Sequence, residues 1–355
     1  MTETLRIVRV ESEGERAEFL ELPQQLYSRQ HLPQDRKLEE ALLEGSHTLS
    51  GLMGFQAYLV YDQDLPIMRA AMTYYENRND AYLGFFEGEN RPDAMQLLVE
   101  TVAQAARERG YAALVGPVQA SFWLGYRMQL TGMEDLPFTG EPHNLPYYEN
   151  LWRQAGFELQ DRYLSTFYDK IPADEMREKM ARRLARFEKK GYVFRSPKKE
   201  EWPEVSRQVH VLLEELYQDF PVYQSLPAES FADMFASYRE ILDFSMVHLA
   251  YKDGELQGFM ITVPDYANLV YQNLTPWTLA RILWRKFHPK QYLLLYLGAR
   301  EPGLGAALSY LSFLQVKARG SFAVGALIHE SGPAQNYAKH LRLKIHEYGL
   351  WRLSL

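Results

Sequence analysis

Two stretches of this chain, 106–118 (ARERGYAALVGPV) and 316–328 (VKARGSFAVGALI), carry one pattern: a helix end, an Arg-Gly boundary and an apolar strand. Further segments stand in matching order around each. Residues 55–75 and 245–263 both read as hairpins, the second turning at Asp253-Gly254, a pair that suits a tight two-residue turn. Residues 144–157 (NLPYYENLWRQAGF) hold the place that 336–343 (NYAKHLRL), expected as a last helix, hold in the second half. An internal duplication of about 170–190 residues accounts for this, each copy having the size of an ordinary domain. The boundary is expected where DRYLSTFYDK gives way to Pro172, giving domains 1–170 and 171–355.

Local signals fill in each copy. The first opens with a strand over 4–10 and a helix through Phe19, Leu20, Leu26 and Tyr27. After the hairpin come a strand over 82–87 and a helix carrying Met95, Leu98, Val99 and Val102. Pro92-Asp93 opens that helix and Gly110 closes it, the usual punctuation of a helix. A strand over 112–115 follows. In the second copy a charged helix spans 173–190, with Met176, Met180, Leu184 and Phe187 as its apolar stripe. Its Arg182, Arg183, Arg186, Lys189 and Lys190 are interleaved with Glu178 and Glu188 and read as a solvated face. A second helix carries Val205, Val209, Leu212, Leu216 and Phe220, and another lies near 276–287. Strands alternating with helices imply mixed α/β domains.

Chemistry concentrates at 291–320. An apolar strand over 292–297 leads into a turn with Arg300, Gly303 and Gly305, and a helix follows to Gly320. Unpaired N–H groups and the positive end of a helix dipole converge on such a turn, which makes it an anion site. Composition narrows the rest. The chain has no cysteine, so it forms no disulfide, no Cys-ligated metal site and no acyl thioester of its own. A net charge of −7 argues against general nucleic-acid binding, which needs a basic face. No apolar run approaches the roughly 20 residues of a membrane span, and the N-terminus lacks an apolar signal region, so the expected compartment is the cytoplasm with no membrane partner. Serine-hydrolase elbows, H-E-x-x-H pairs and P-loops are absent and the nine histidines are scattered, so no metal is expected.

The string Arg300-x-x-Gly303-x-Gly305 matches the R/Q-x-x-G-x-G/A signature of the GNAT N-acyltransferase superfamily. The chain resembles that superfamily, and in particular its two-domain bacterial members, through several further strings. They are Phe19-x-x-Leu22-Pro23-x-x-Leu26-Tyr27, Gly84-Phe85-Phe86, Gly116-Pro117 and Asn144-x-Pro146-Tyr147-Tyr148 leading to Ala155-Gly156-Phe157. The resemblance implies two tandem GNAT-like domains built on mixed α/β sheets. The first copy has GENRPDA at 88–94 where a glycine cradle is expected, so the second is expected to hold the site.

The resemblance further implies an acyl-CoA-dependent N-acyltransferase, most simply an acetyltransferase, acting directly on an amine acceptor with acetyl-CoA or another acyl-CoA as co-substrate and no metal. Leu297, Arg300, Gly303, Leu304, Gly305 and Ala306 would hold the cofactor, its pyrophosphate at the backbone of 303–306. The acceptor would enter between the strands near Leu297 and Ile328. Tyr337 would be the general acid for the leaving thiolate, and Glu330, or His329 beside it, would take the ammonium proton. Asn144, Tyr147 and Tyr148 are candidates for an acceptor groove, although Asn144 and Pro146 also suit a helix cap. Two other readings stay open: a Fem-type aminoacyl-tRNA-dependent transferase, and a non-catalytic acyl-CoA- or ligand-binding tandem GNAT protein.

Overall fold

The computed structural model describes residues 5–236, 238–273, 275–332 and 338–355. The chain divides into two compact units. One comprises Met1–Tyr163, Val270–Gln272 and His346–Leu355, and the other Leu164–Leu269 and Asn273–Ile345. The division falls at Tyr163/Leu164 rather than near Lys170, and the C-terminal ten residues go with the first unit.

The first unit runs β1 (Leu5–Arg9), α1 (Glu13–Leu26), α2 (Arg36–Glu44), β2 (Gly54–Asp62), β3 (Leu65–Tyr74), β4 (Asp80–Gly88), α3 (Pro92–Glu108) and β5 (Ala113–Gly116). Then come β6 (Met128–Gln129), α4 (Tyr148–Gln154) and the start of β7 (Glu158–Tyr168). Strands β1 to β4 are antiparallel neighbours, and β4 pairs parallel with β5 at Asp80–Tyr82 only. Residues on β2, β3 and β4 are buried in near-continuous runs, as expected of strands covered on both faces. Phe19 and Leu42 of α1 and α2 pack with Leu59, Tyr61 and Phe85. Alternate residues, among them Val60, Met72 and Leu83, pack under α3 and α4 with Leu98 and Trp152. Ser12 caps α1 in a reciprocal capping box with Glu15.

The second unit repeats the order. It runs α5 (Glu178–Lys189), β8 (Val193–Arg195), α6 (Trp202–Leu216), α7 (Ala228–Phe235), α8 (Tyr238–Ile241), β9 (Val247–Lys252) and β10 (Glu255–Pro264). After α9 (Pro276–Phe287) come β11 (Gln291–Ala299), α10 (Leu304–Arg319) and β12 (Phe322–His329). The β9–β10 turn uses Asp253 and Gly254, both at positive φ, as the Asp-Gly pair led one to expect. β11 pairs antiparallel with β10 from Tyr292 to Ala299, with a bulge that skips Leu295, but parallel with β12 only from Gln291/Phe322 to Leu294/Gly325. Phe187 of α5 and Leu304 and Leu308 of α10 pack with Ala250 and Met260 on one face.

Each unit's fifth strand is flanked by a strand from the other half of the sequence. The end of β7 lies beside β12, and β13 (Arg342–Ser354) lies beside β5 with Trp351 opposite Gly116 and Leu353 opposite Leu114. The sequence pattern missed β13. The last helix expected over 336–343 does not form across its described part: Lys339–Leu341 make one 3-10 turn and Arg342 starts the strand. Leu350 and Trp351 are consecutive and both buried, so the strand lacks the apolar/polar alternation that marks a half-exposed one.

Candidate functional site

The two units differ at the place where the parallel strands part. In the first unit the gap beyond Tyr82 and Val115 is filled by the chain itself. Val118 N–H donates to Leu83 O at 2.9 Å, and Phe85 N–H donates to Gln119 Oε1 at 2.5 Å. A Cβ on Gly84 would stand 1.8 Å from Val118 O, and one on Gly116 2.3 Å from Leu83 O. These two glycines are therefore explained by close backbone approach, and the exposed strand edge is consumed.

In the second unit the same gap is open. Past Leu294 and Gly325 the strands diverge around a cavity of about 480 Å³. Leu297 and Ala299 of β11, Gly325 and Ile328 of β12, and Gly303 and Ala306 at the start of α10 are among its walls. Gly303 is the α10 N-cap at φ 90°, with no side-chain cap. The first-turn N–H groups of a helix have no partner within the helix, and here they sit at the positive end of its dipole.

The residues singled out in the sequence separate into those that reach the cavity and those that do not. Leu297, Gly303, Gly305 and Ala306 line it. Arg300 does not. Its guanidinium forks onto Glu215 of α6 (Nε–Oε1 2.9 Å, Nη2–Oε2 2.5 Å) and donates to Leu256 O at 3.0 Å, tying the turn to α6 and β10. Leu304 is fully buried in the α5–α10 core. Glu301, unremarked in the sequence, reaches the rim, where Tyr192 Oη donates to it at 2.7 Å and Lys190 pairs with it. Of the two candidates at the end of β12, His329 faces the cavity, its Nδ1 2.7 Å from Ser331 Oγ, whereas Glu330 is exposed in the turn beyond. Tyr337 lies outside the described residues.

Three wall residues carry no short motif and escaped the sequence reading. Tyr217 Oη donates to Leu297 O at 3.1 Å. Tyr168, from the end of β7, has its hydroxyl pKa pushed up by burial, with Thr166, Arg342 and Arg177 acting the other way. Arg177, the N-cap of α5, has Nε 3.1 Å from Glu175 Oε1 and a buried Nη2 with no hydrogen-bond partner. It supplies a cationic group at a largely apolar wall. Among the described residues no group of His, Asp and Glu side chains is arranged to hold a metal.

Asn144, Tyr147 and Tyr148 are in the first unit, where their polar atoms bond to its backbone and to Glu87. Asn144 accepts from Gln129 N–H at 2.6 Å and donates to Gln129 O at 3.1 Å. Tyr147 Oη donates to Gly88 O at 2.8 Å, and Tyr148 Oη accepts from Gly88 N–H at 2.9 Å and donates to Glu87 at 2.7 Å. Tyr27 Oη also donates to Glu87 at 2.7 Å. Burial pushes the Glu87 carboxyl up to about 7, against the opposing pull of Arg69 and both tyrosines. The folded state thus holds this proton more tightly than the unfolded chain. The stability this contributes is complete below the unfolded value near 4.5 and lost as pH rises through 7, on the order of 3 kcal/mol. Denaturation of Glu87→Gln at several pH values should lack that slope. A slope equal to that of the wild type would show that Glu87 does not titrate in this window.

A mixed α/β unit whose fourth and fifth strands run parallel and then part, with a helix joining them, is the GNAT fold; this chain carries it in tandem, with a glycine-led helix in the second unit. No family model matches the sequence, and neither does any curated protein. Solved structures do. A tandem GNAT protein from the clavulanic acid biosynthesis pathway, solved without AcCoA, aligns at 11% identity over 99% of this chain and 98% of its own, TM-score 0.52. A probable N-acyltransferase from Enterococcus faecalis aligns at 10% identity over 99% of this chain and 72% of its own, TM-score 0.54. A GCN5-related N-acetyltransferase from Kribbella flavida aligns at 12% over 100% and 72%, TM-score 0.51. At such identities the likeness establishes the fold, and function has to be argued from the site.

Proposed function

We propose that the second unit is an acyl-CoA-dependent N-acyltransferase and that the first is a scaffold without a cofactor site. The observation that carries this is the contrast between the two strand gaps: one is closed by residues 117–120, the other opens on the cavity at α10. The residues present fit such a ligand. The apolar walls suit a pantetheine arm, and the glycine-led first turn of α10, which has no side-chain cap, suits a pyrophosphate. Acyl-CoA, when bound, supplies a thioester whose carbonyl carbon an amine can attack.

The chain's own groups would then act as follows. β11 continues to Ala299 after its pairing with β12 ends at Leu294, so edge N–H groups can donate to the carbonyl oxygen as it gains charge. His329, on the cavity wall at the end of β12, would take the proton shed by the amine as the C–N bond forms. A tyrosine hydroxyl would return a proton to sulfur as the C–S bond breaks. Tyr337 holds the position the resemblance assigns to that acid, and Tyr217 is the hydroxyl at the strand edge. With no cysteine in the chain, transfer is direct.

Calorimetry with acetyl-CoA is the primary test, and absence of binding would defeat the reading. Tyr337→Phe should lower turnover on the order of 10²-fold with little change in stability. A variant as fast as wild type would move the acid role to Tyr217, to be checked by Tyr217→Phe.

A further inference from the structure

The second unit carries an insertion that the first lacks. The first joins β3 to β4 through residues 75–79, whereas the second joins β10 to β11 through residues 265–290, which include α9. This helix is firmly built. Thr275 caps it by accepting from Thr278 N–H at 3.1 Å, Pro276 occupies its first turn, and Thr278 and Ile282 are buried beneath it. Its outer side is apolar. Trp277 is 75% exposed, Phe287 72%, Trp284 65%, Leu279 50% and Leu283 44%. At 3.6 residues per turn these five side chains fall on one arc of about 160° that contains no polar residue.

Cations flank that arc on both sides, Arg281 and Arg285 on one and Lys286 on the other, with Lys290 just beyond the helix. Lys286 is held in place by donating to Glu240 O at 2.6 Å. No Asp or Glu occurs between Asp265 and Glu301, in a chain whose net charge is −7. A wide solvent-facing apolar arc with tryptophans and a cationic border is the pattern of a helix lying in a membrane interface. With 12 residues α9 is shorter than the roughly 20 that cross a bilayer, so a lipid contact of this helix would be with the surface. A second copy is a poorer occupant, because a two-fold contact would set the cationic borders against themselves.

We propose that α9 docks the second unit onto an anionic lipid surface, with Trp277, Trp284 and Phe287 at headgroup level and the flanking cations on lipid phosphates. This stands independently of the acyl-transfer reading. The test uses the full chain and vesicles of phosphatidylcholine, alone or mixed with phosphatidylglycerol. Wild type should co-sediment with the mixed vesicles, with a blue shift of tryptophan emission, and should be released by salt. Arg281→Gln with Arg285→Gln should weaken binding about 30-fold, at roughly fivefold per cation. The triple variant Trp277→Ser, Trp284→Ser and Phe287→Ser should lose vesicle binding while keeping its thermal transition, since all three side chains are exposed. Three results would overturn the proposal: wild type left in the supernatant with both vesicles, a triple variant that binds like wild type, or a wild-type dimer that the triple variant converts to monomer.

Discussion

On the acyl-CoA reading proposed above, Gly325→Val should weaken acetyl-CoA binding on the order of 10²-fold while leaving the thermal transition almost unchanged. Gly325 is the last residue of β12 to pair with β11, and it lines the cavity. A Cβ there would meet Ile328 Cδ1 and Tyr168 Cε2 at 3.4 Å, an ordinary contact. The backbone therefore accepts a side chain, and a β-branched one suits a strand. The two methyls of valine would take up cavity space beside Ile328 and Tyr168, and overfilling a close-packed space costs about 1–3 kcal/mol, or up to roughly 10²-fold in affinity. Titration calorimetry of wild type and variant, each paired with a melting curve, reads both quantities. Unchanged affinity would mean that the ligand, if bound, does not use this gap.

The largest stability effect is expected in the first unit, at Glu39. Its carboxylate holds Arg69 through two bonds, Nη1–Oε2 at 2.7 Å and Nη2–Oε1 at 3.0 Å, and only 2% of the Arg69 side chain is exposed. Arg69 also donates to Phe19 O at 2.7 Å, its guanidinium lies 4.4 Å from the Phe19 ring centre, and Gln34 donates to Glu39 at 2.8 Å. Glu39→Ala would leave a buried guanidinium without its counter-charge, which costs about 3–5 kcal/mol. For a unit of this size that is a melting shift on the order of 10 °C. Adding Arg69→Met removes the stranded charge and should recover most of the loss. Urea denaturation of the single and double variants decides it. Equal losses in both would show that packing, not charge, holds this site.

What is legible in the sequence is what neighbouring residues settle between themselves. The β9–β10 hairpin follows from Asp253-Gly254, the start of α3 from Pro92-Asp93, and the strand–turn–helix at 291–320 from an apolar run and two glycines. The tandem order of elements follows from the parallel between 106–118 and 316–328. In each case the deciding forces, turn dihedrals, helix caps and apolar periodicity, act over a few residues. Partner choice is another matter. Arg300 has the spacing of an anion-binding residue, yet Glu215, 85 positions earlier, claims its fork. Asn144, Tyr147 and Tyr148 look like the wall of a binding groove, but their polar atoms pair with Gln129, Gly88 and Glu87. Whether a strand gap holds ligand or chain depends on Val118 meeting Leu83 across 35 residues, and no local pattern distinguishes that from the open gap at Gly325. The strand that flanks β5 comes from the far end of the chain, because any apolar segment of the right length can complete an exposed edge and only the folded arrangement brings one there. Local chemistry thus determined the elements and their tandem order. Tertiary structure decided which gap is open, which charges are already paired and which helix face has no cover, because burial and ion pairing join residues that the sequence keeps far apart.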